Sequence, residues 1–144
     1  MLRIASITAL LLMAIALSGL VIRGTFFSVQ PLVVITEFGA AALMLWARLT
    51  LGRRSFHAGA NPTSGELVTT GPYRYIRHPI YSSICLFSCA GVLAYFSLVN
   101  LLLGILLIVG VLVRLFCEEH LLVKTYPEYR PYSHTNWRLL PFIF

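Results

Sequence analysis

Residues 99–116 read Val-Asn-Leu-Leu-Leu-Gly-Ile-Leu-Leu-Ile-Val-Gly-Val-Leu-Val-Arg-Leu-Phe, a run with a single charged side chain, Arg114. At 1.5 Å per residue it comes close to the roughly 30 Å hydrocarbon core of a bilayer, so it reads as a membrane helix. Three runs of the same kind precede it: Ile4–Ile22, Val29–Leu51 and Pro79–Phe96. Composition agrees, with 58% of the 144 residues hydrophobic, 11% charged and a mean hydropathy of +0.84. A globule this small has too much surface for its volume to hide that much apolar area from water, which excludes both disorder and an ordinary soluble domain.

The expected fold is an all-α integral membrane protein of one domain, 1–144, with about four transmembrane helices over 4–22, 29–51, 79–96 and 99–117. The last two are joined by a tight hairpin through Ser97, Leu98, Val99 and Asn100. The polar parts are a loop, 52–78, and a tail, 118–144. Within the loop, Asn61-Pro62-Thr63-Ser64-Gly65 is a turn cluster, followed by the short extended candidate Glu66-Leu67-Val68-Thr69. The first run competes with a signal peptide, because Arg3 precedes it and Ala16-Leu17-Ser18 resembles a cleavage site. Its apolar character continues to Ile22, which favours a retained helix.

The net charge of +6 is best spent on topology. Arg3, Arg53, Arg54, Arg74, Arg77, Lys124, Arg130 and Arg138 fall on one side of the helices and only Arg23 on the other. The positive-inside rule places the loop, the tail and both termini in the cytoplasm, in an inner or plasma membrane. The basic residues form no aromatic-interleaved stripe, so nucleic acid is not an expected partner; membrane lipids are. Cys85, Cys89 and Cys117 lie inside apolar runs with no CxxC pair and no His at zinc spacing, and no metal site is expected.

Two constellations carry chemistry. In the first, Gly71-Pro72-Tyr73-Arg74-Tyr75-Ile76-Arg77-His78-Pro79-Ile80-Tyr81, Pro79 suits the first position of a helix and holds His78 outside it. His78 and Arg77 thus stand at a helix mouth whose dipole favours an anionic ligand group; the alternative is interfacial anchoring by Tyr and Arg. The second is Arg114, Glu118 and Glu119, near a helix C-terminus where carboxylates oppose the dipole and need compensation. Here the alternatives are a ligand ammonium and a solvated charge cluster. An anion site, a carboxylate pair and tyrosine faces together suit S-adenosylmethionine, and no GxSxG, HExxH or Walker sequence points elsewhere.

The stretches Trp46–Arg54, Leu67–Tyr81, Arg114 through Glu118-Glu119, and Tyr129, Tyr132 and Leu140-Pro141 resemble, in order and spacing, the isoprenylcysteine carboxyl methyltransferase family, particularly its short bacterial and archaeal members. The resemblance runs from about Leu43 to the C-terminus. It implies methyl transfer from S-adenosylmethionine to the carboxylate of a prenylcysteine or similar lipid-borne acceptor at the cytoplasmic face. It implies cofactor contacts from Tyr73, His78, Pro79, Ile80, Tyr81 and Glu118, and an adenosine pocket lined by Gly65, Glu66, Leu67 and Val68. Arg114 would hold the acceptor carboxylate as the catalytic residue, with Glu119 a supporting or ribose-binding group. The chain departs from the family at Gly65, where many relatives carry His, at Ser83, near a family Gly, and at Tyr126-Pro127, in place of Phe-Gly.

The chemistry is consistent with that expectation. Transfer of a methyl from a sulfonium to a carboxylate is an in-line displacement in which opposite charges cancel, so excluding water and aligning the groups is most of the task. Three alternatives remain: a phospholipid-amine methyltransferase, a membrane reductase related to sterol reductases, and a non-enzymatic membrane assembly protein. Glu37, inside the second helix, reads either as a functional intramembrane carboxylate facing away from this site or as a packing residue. His57, His120 and His134 read as interfacial, Trp46 and Trp137 as anchors, and Tyr129 and Tyr132 either close the pocket or pack the tail.

Overall fold

The computed structural model describes residues 2–52, 67–141 and 143–144. The described residues include five α-helices, α1 (Leu2–Ile22), α2 (Pro31–Leu51), α3 (Pro79–Ala94), α4 (Leu98–Thr125) and the short α5 (Tyr129–Thr135), and a 3-10 turn at Gly71–Arg74. Among the described residues there is no strand, only an isolated parallel bridge between Ile76 and Trp137. α1, α2 and α4 are long and apolar enough to cross a membrane. α3 is apolar throughout but has 16 residues, about 24 Å of helix against a hydrocarbon core of about 30 Å.

α1 packs along α4, and α2 along α3. The buried side of α1 is Ser6, Ala9, Met13, Ala16 and Leu20, alternating steps of three and four that keep one seam facing the partner. Close approach depends on small residues, as is usual between membrane helices. A Cβ at Gly110 of α4 would lie 2.7 Å from Met13 Cγ and 3.1 Å from the Ala9 carbonyl. Gly19 of α1 meets Leu103, so the two helices run antiparallel. Met13, Ala16, Tyr81, Leu107, Val111 and Leu115 form the buried core, and Leu139 of the tail packs against it. Lipid-facing positions are correspondingly apolar and exposed, among them Ile15, Phe38, Leu102 and Val109.

The end of the bundle away from the tail is closed by polar contacts. Arg23 donates from Nε to the Asn100 side-chain oxygen and from Nη2 to Ser97 Oγ at 3.3 Å, while Ser97 Oγ accepts the Asn100 N–H at 3.2 Å as the α4 N-cap. A Cβ at Gly91 would overlap the Thr25 carbonyl oxygen, so the α1–α2 connection lies directly on α3.

Five expected boundaries move: α1 begins at Leu2 rather than 4 and α2 at Pro31 rather than 29, and the other three lie in α3 and α4. α3 stops at Ala94, not 96, and α4 begins at Leu98 because the Ser97 cap nucleates it within the span expected to be the turn. α4 continues past 117 to Thr125, so the first eight residues of the expected tail are helix. Hydropathy reports where lipid ends, not where a helix ends; at 28 residues α4 is about 42 Å long and outlasts the apolar layer. Leu67–Thr69, expected to be extended, form no regular element; Arg53, Arg54, His57, the turn 61–65 and Glu66 lie outside the described residues. Glu37, read as facing away from the site or as a packing residue, is buried, and its Oε1 has no hydrogen-bond partner among the described residues.

Candidate functional site

The site lies where α3 starts and α4 leaves the apolar layer. Pro79, lacking an N–H, opens α3, and His78 takes the N-cap position without a side-chain cap bond. The His78 carbonyl accepts from the Ser82 N–H and hydroxyl, at 3.0 and 3.1 Å. The tail then runs beside this approach. Trp137 N–H donates to the Tyr75 carbonyl at 3.1 Å, Arg77 N–H to Trp137 O at 2.7 Å, and His78 N–H to Arg138 O at 3.1 Å. The Ser82 hydroxyl shares its one hydrogen between the His78 carbonyl and the Leu139 carbonyl, which is the nearer at 2.5 Å. α5 secures the same segment from outside, with the Tyr132 hydroxyl donating to the Tyr73 carbonyl at 2.6 Å.

Successive residues on a helix point about 100° apart, and this separates the two carboxylates of α4 into different surroundings. Glu119 is enclosed. Its Oε1 accepts from Arg77 Nη1 at 2.6 Å and the Tyr129 hydroxyl at 3.2 Å, and its Oε2 from Arg138 Nε at 3.1 Å. Glu118 is twice as exposed, 24% against 12% of the side chain, and its Oε1 accepts from the Tyr81 hydroxyl at 2.5 Å. Arg114 Nε donates to that same hydroxyl at 2.6 Å and lies 3.3 Å from Glu118 Oε1, making the i,i+4 ion pair a three-membered relay. Because α4 runs on to Thr125, the carboxylates stand more than a turn inside the helix, beyond the reach of its terminal dipole expected from the sequence; the cations brought from α4, the α3 approach and the tail offset their burial instead.

His78 stands between them. Its side chain is 6% exposed, Nδ1 lies 3.9 Å from Glu118 Oε2, and Nε2 lies 3.5 Å from Glu119 Oε1, without the alignment of a hydrogen bond. Its ring stacks on Tyr81 at 5.8 Å. His78 Nε2 and Arg77 Nε are the buried polar atoms of the cluster with no hydrogen-bond partner among the described residues. Burial, before the neighbouring charges, pushes the Tyr73 and Tyr129 phenols well above their ordinary range and Tyr132 up to about 12. These hydroxyls are therefore neutral hydrogen-bond donors at physiological pH.

Of the residues singled out in the sequence, Arg114, Glu118, Glu119, His78 and Tyr81 converge on this cluster. Pro79 and Ile80 begin the helix that carries it. Tyr73 is buried in the 3-10 turn, which Gly71 docks against α2: Gly71 has φ +58°, and a Cβ there would come within 2.5 Å of Thr50 Oγ1. Leu67 and Val68 are half-buried on the approach to that turn; Gly65 and Glu66 lie outside the described residues. Arg138 was counted in the sequence only as a basic tail residue, and Tyr129 only as a pocket-closing or packing group. Both reach Glu119 across distances that local sequence does not reveal. Cys85, Cys89 and Cys117 are free thiols.

No curated protein and no solved structure matches the chain. The family model described as phospholipid methyltransferase does match it, over residues 6–129, which runs from the first turns of α1 through α4 and takes in the 3-10 turn and every residue of the cluster except Arg138. The two sequence constellations, folded into one charged centre at the ends of apolar helices, lie within that match, and the chain belongs to the phospholipid methyltransferase family of membrane methyltransferases.

Proposed function

We propose that the protein transfers the methyl group of S-adenosylmethionine to a lipid-borne acceptor at the cytoplasmic membrane face. The carrying observation is the convergence of His78, Tyr81, Arg114 and Glu118 from two helices on one largely buried cluster, in a chain with three helices long and apolar enough to cross a membrane. The cluster fits the amino-acid end of the cofactor. The buried, unpartnered Nε2 of His78 and the guanidinium of Arg77 suit a carboxylate, and the half-exposed Glu118 suits an ammonium. When bound, S-adenosylmethionine supplies an electrophilic methyl on a sulfonium centre. The chain's own part is to hold the ligand in line with the acceptor and exclude water, which the apolar ends of α3 and α4 favour. The cytoplasmic orientation rests on the placement of Lys and Arg.

For the acceptor we favour a carboxylate, that of a prenylcysteine or a similar lipid. Arg114 is 5% exposed and one turn deeper than Glu118, where a planar guanidinium aligns a carboxylate without needing a base. A second reading, a phospholipid amine, is favoured by the description of the matching family. An amine acceptor must lose a proton, and Glu118, the less enclosed carboxylate, is the group to take it. The test is binding of labelled S-adenosylmethionine to detergent-solubilised protein, with a reduced nicotinamide cofactor as control. Methyl transfer to a prenylcysteine analogue and to phosphatidylethanolamine is then measured on the same preparation. Saturable binding with transfer to the analogue is expected; transfer to the amine alone replaces the acceptor, and binding of the nicotinamide instead overturns the function.

A further inference from the structure

Beyond residue 129, where the family match ends, Arg138 is anchored both at its backbone and at its guanidinium group. The Arg138 carbonyl accepts the His78 N–H at 3.1 Å, and its Nε donates to Glu119 Oε2 at 3.1 Å. Its guanidinium carbon lies 5.8 Å from the Phe116 ring centroid and 5.1 Å from that of Phe144, within the range in which an aromatic face attracts a cation. Phe144 is fixed in turn, its carbonyl accepting the N–H groups of Leu139 and Leu140 at 2.8 and 3.1 Å. A half-exposed arginine with one carboxylate contact ordinarily contributes little. Here the two ends of the contact, His78 and Glu119, both belong to the charged cluster.

We propose that Arg138 is a positioning residue: it holds the Glu119 carboxylate away from His78, so that the imidazole keeps its Nε2 edge open to a ligand. Ordinarily a buried imidazole nitrogen 3.5 Å from a carboxylate would close that gap and make the hydrogen bond. The carboxylate is prevented from turning because donors grip both of its oxygens, Arg77 and Tyr129 at Oε1 and Arg138 at Oε2. The imidazole is prevented from following because its backbone N–H is pinned to the Arg138 carbonyl. Arg138 acts on both partners, through its guanidinium on Glu119 and through its carbonyl on His78. Removing its side chain frees Oε2, lets the carboxylate rotate towards His78, and consumes the open nitrogen within the protein.

The primary readout needs no ligand. Protein labelled with ring-¹⁵N histidine is solubilised in detergent, and the His78 resonances are assigned with His78→Gln; the three other histidines report on integrity of the fold. Arg138→Gln is expected to move the His78 ring nitrogens by several ppm while the other three stay in place, and Arg138→Lys to restore part of the shift. Phe144→Leu, which loosens the guanidinium without removing its charge, is expected to give a smaller shift in the same direction and decides the matter if Arg138→Gln does not fold. An unmoved His78 in either folded variant overturns the proposal. The second readout rests on the proposed function: the S-adenosylmethionine dissociation constant is expected to rise at least fivefold in Arg138→Gln and to recover partly in Arg138→Lys. If the wild-type protein binds no S-adenosylmethionine, that function fails, while the histidine spectra still decide the role of Arg138.

Discussion

The unequal surroundings of the two adjacent carboxylates make opposite demands on two matched substitutions, Glu119→Gln and Glu118→Gln. Each keeps the shape of the side chain and removes one charge. At Glu119 the change leaves Arg77, whose side chain is 9% exposed and whose Nε lacks a hydrogen-bond partner among the described residues, without its counter-ion. Removing one member of a buried ion pair costs about 3–5 kcal/mol. Two features reduce that figure. The amide oxygen still accepts one bond, and Arg138, with a side chain 36% exposed, regains water when released. A net loss of about 2–3 kcal/mol follows, which at roughly 3 °C per kcal/mol for a chain of this size lowers the melting temperature by roughly 6–9 °C. At Glu118 the lost contacts are the neutral donor Tyr81 and the ion pair with Arg114, whose side chain is 6% exposed; the amide oxygen still accepts one bond and the more open side chain admits water, so the loss is about 1–2 kcal/mol of stability. The same change removes the proposed ammonium partner, worth about 1.5–3 kcal/mol, or tenfold and more in affinity. Thermal unfolding in detergent, followed by tryptophan fluorescence, and cofactor titration are measured on both variants. A Glu119→Gln protein as stable as wild type, beside a clearly less stable Glu118→Gln protein, would refute the division of the pair into an enclosed and an accessible member.

Other expectations concern the acceptor, the helix contacts and the topology. Arg114→Lys should retain cofactor binding yet lose at least tenfold in turnover with a prenylcysteine analogue, since a point charge does not reproduce a planar two-pronged contact; parallel loss of binding and turnover would make Arg114 a structural counter-ion of Glu118. Gly91→Ala places a methyl on the Thr25 carbonyl and should cost about 1–3 kcal/mol, whereas Gly39→Ala on the open face of α2 should be near neutral; equal melting temperatures would contradict the packing of the α1–α2 connection on α3. Single cysteines introduced at Lys124 and Arg130 should react with a membrane-impermeant thiol reagent only from the cytoplasmic side, and one at Val29 only from the other; labelling of Lys124 from outside inverts the orientation.

What the sequence determined by itself was local. Lipid demands runs of apolar residues of a fixed length, so the helices were legible from composition along the chain, and the ends of α1 and α2 fell within two residues of expectation. The motif residues His78, Tyr81, Arg114 and Glu118 were legible because proline punctuation and i,i+4 spacing act over one or two helical turns. Apolarity was silent on the final two turns of α4, which depend on cations supplied from elsewhere in the chain. Only the tertiary structure decided that Glu119 is enclosed and Glu118 left accessible, since the partners that enclose Glu119 stand 42 positions before it, at Arg77, and 19 after it, at Arg138. It likewise decided that the tail pairs with residues 75–78, and that Glu37 is buried. Hydropathy and spacing describe how each residue meets lipid or its own helix, whereas the choice of ion-pair partner is made by which helix ends the packing of α1 on α4 and α2 on α3 brings together.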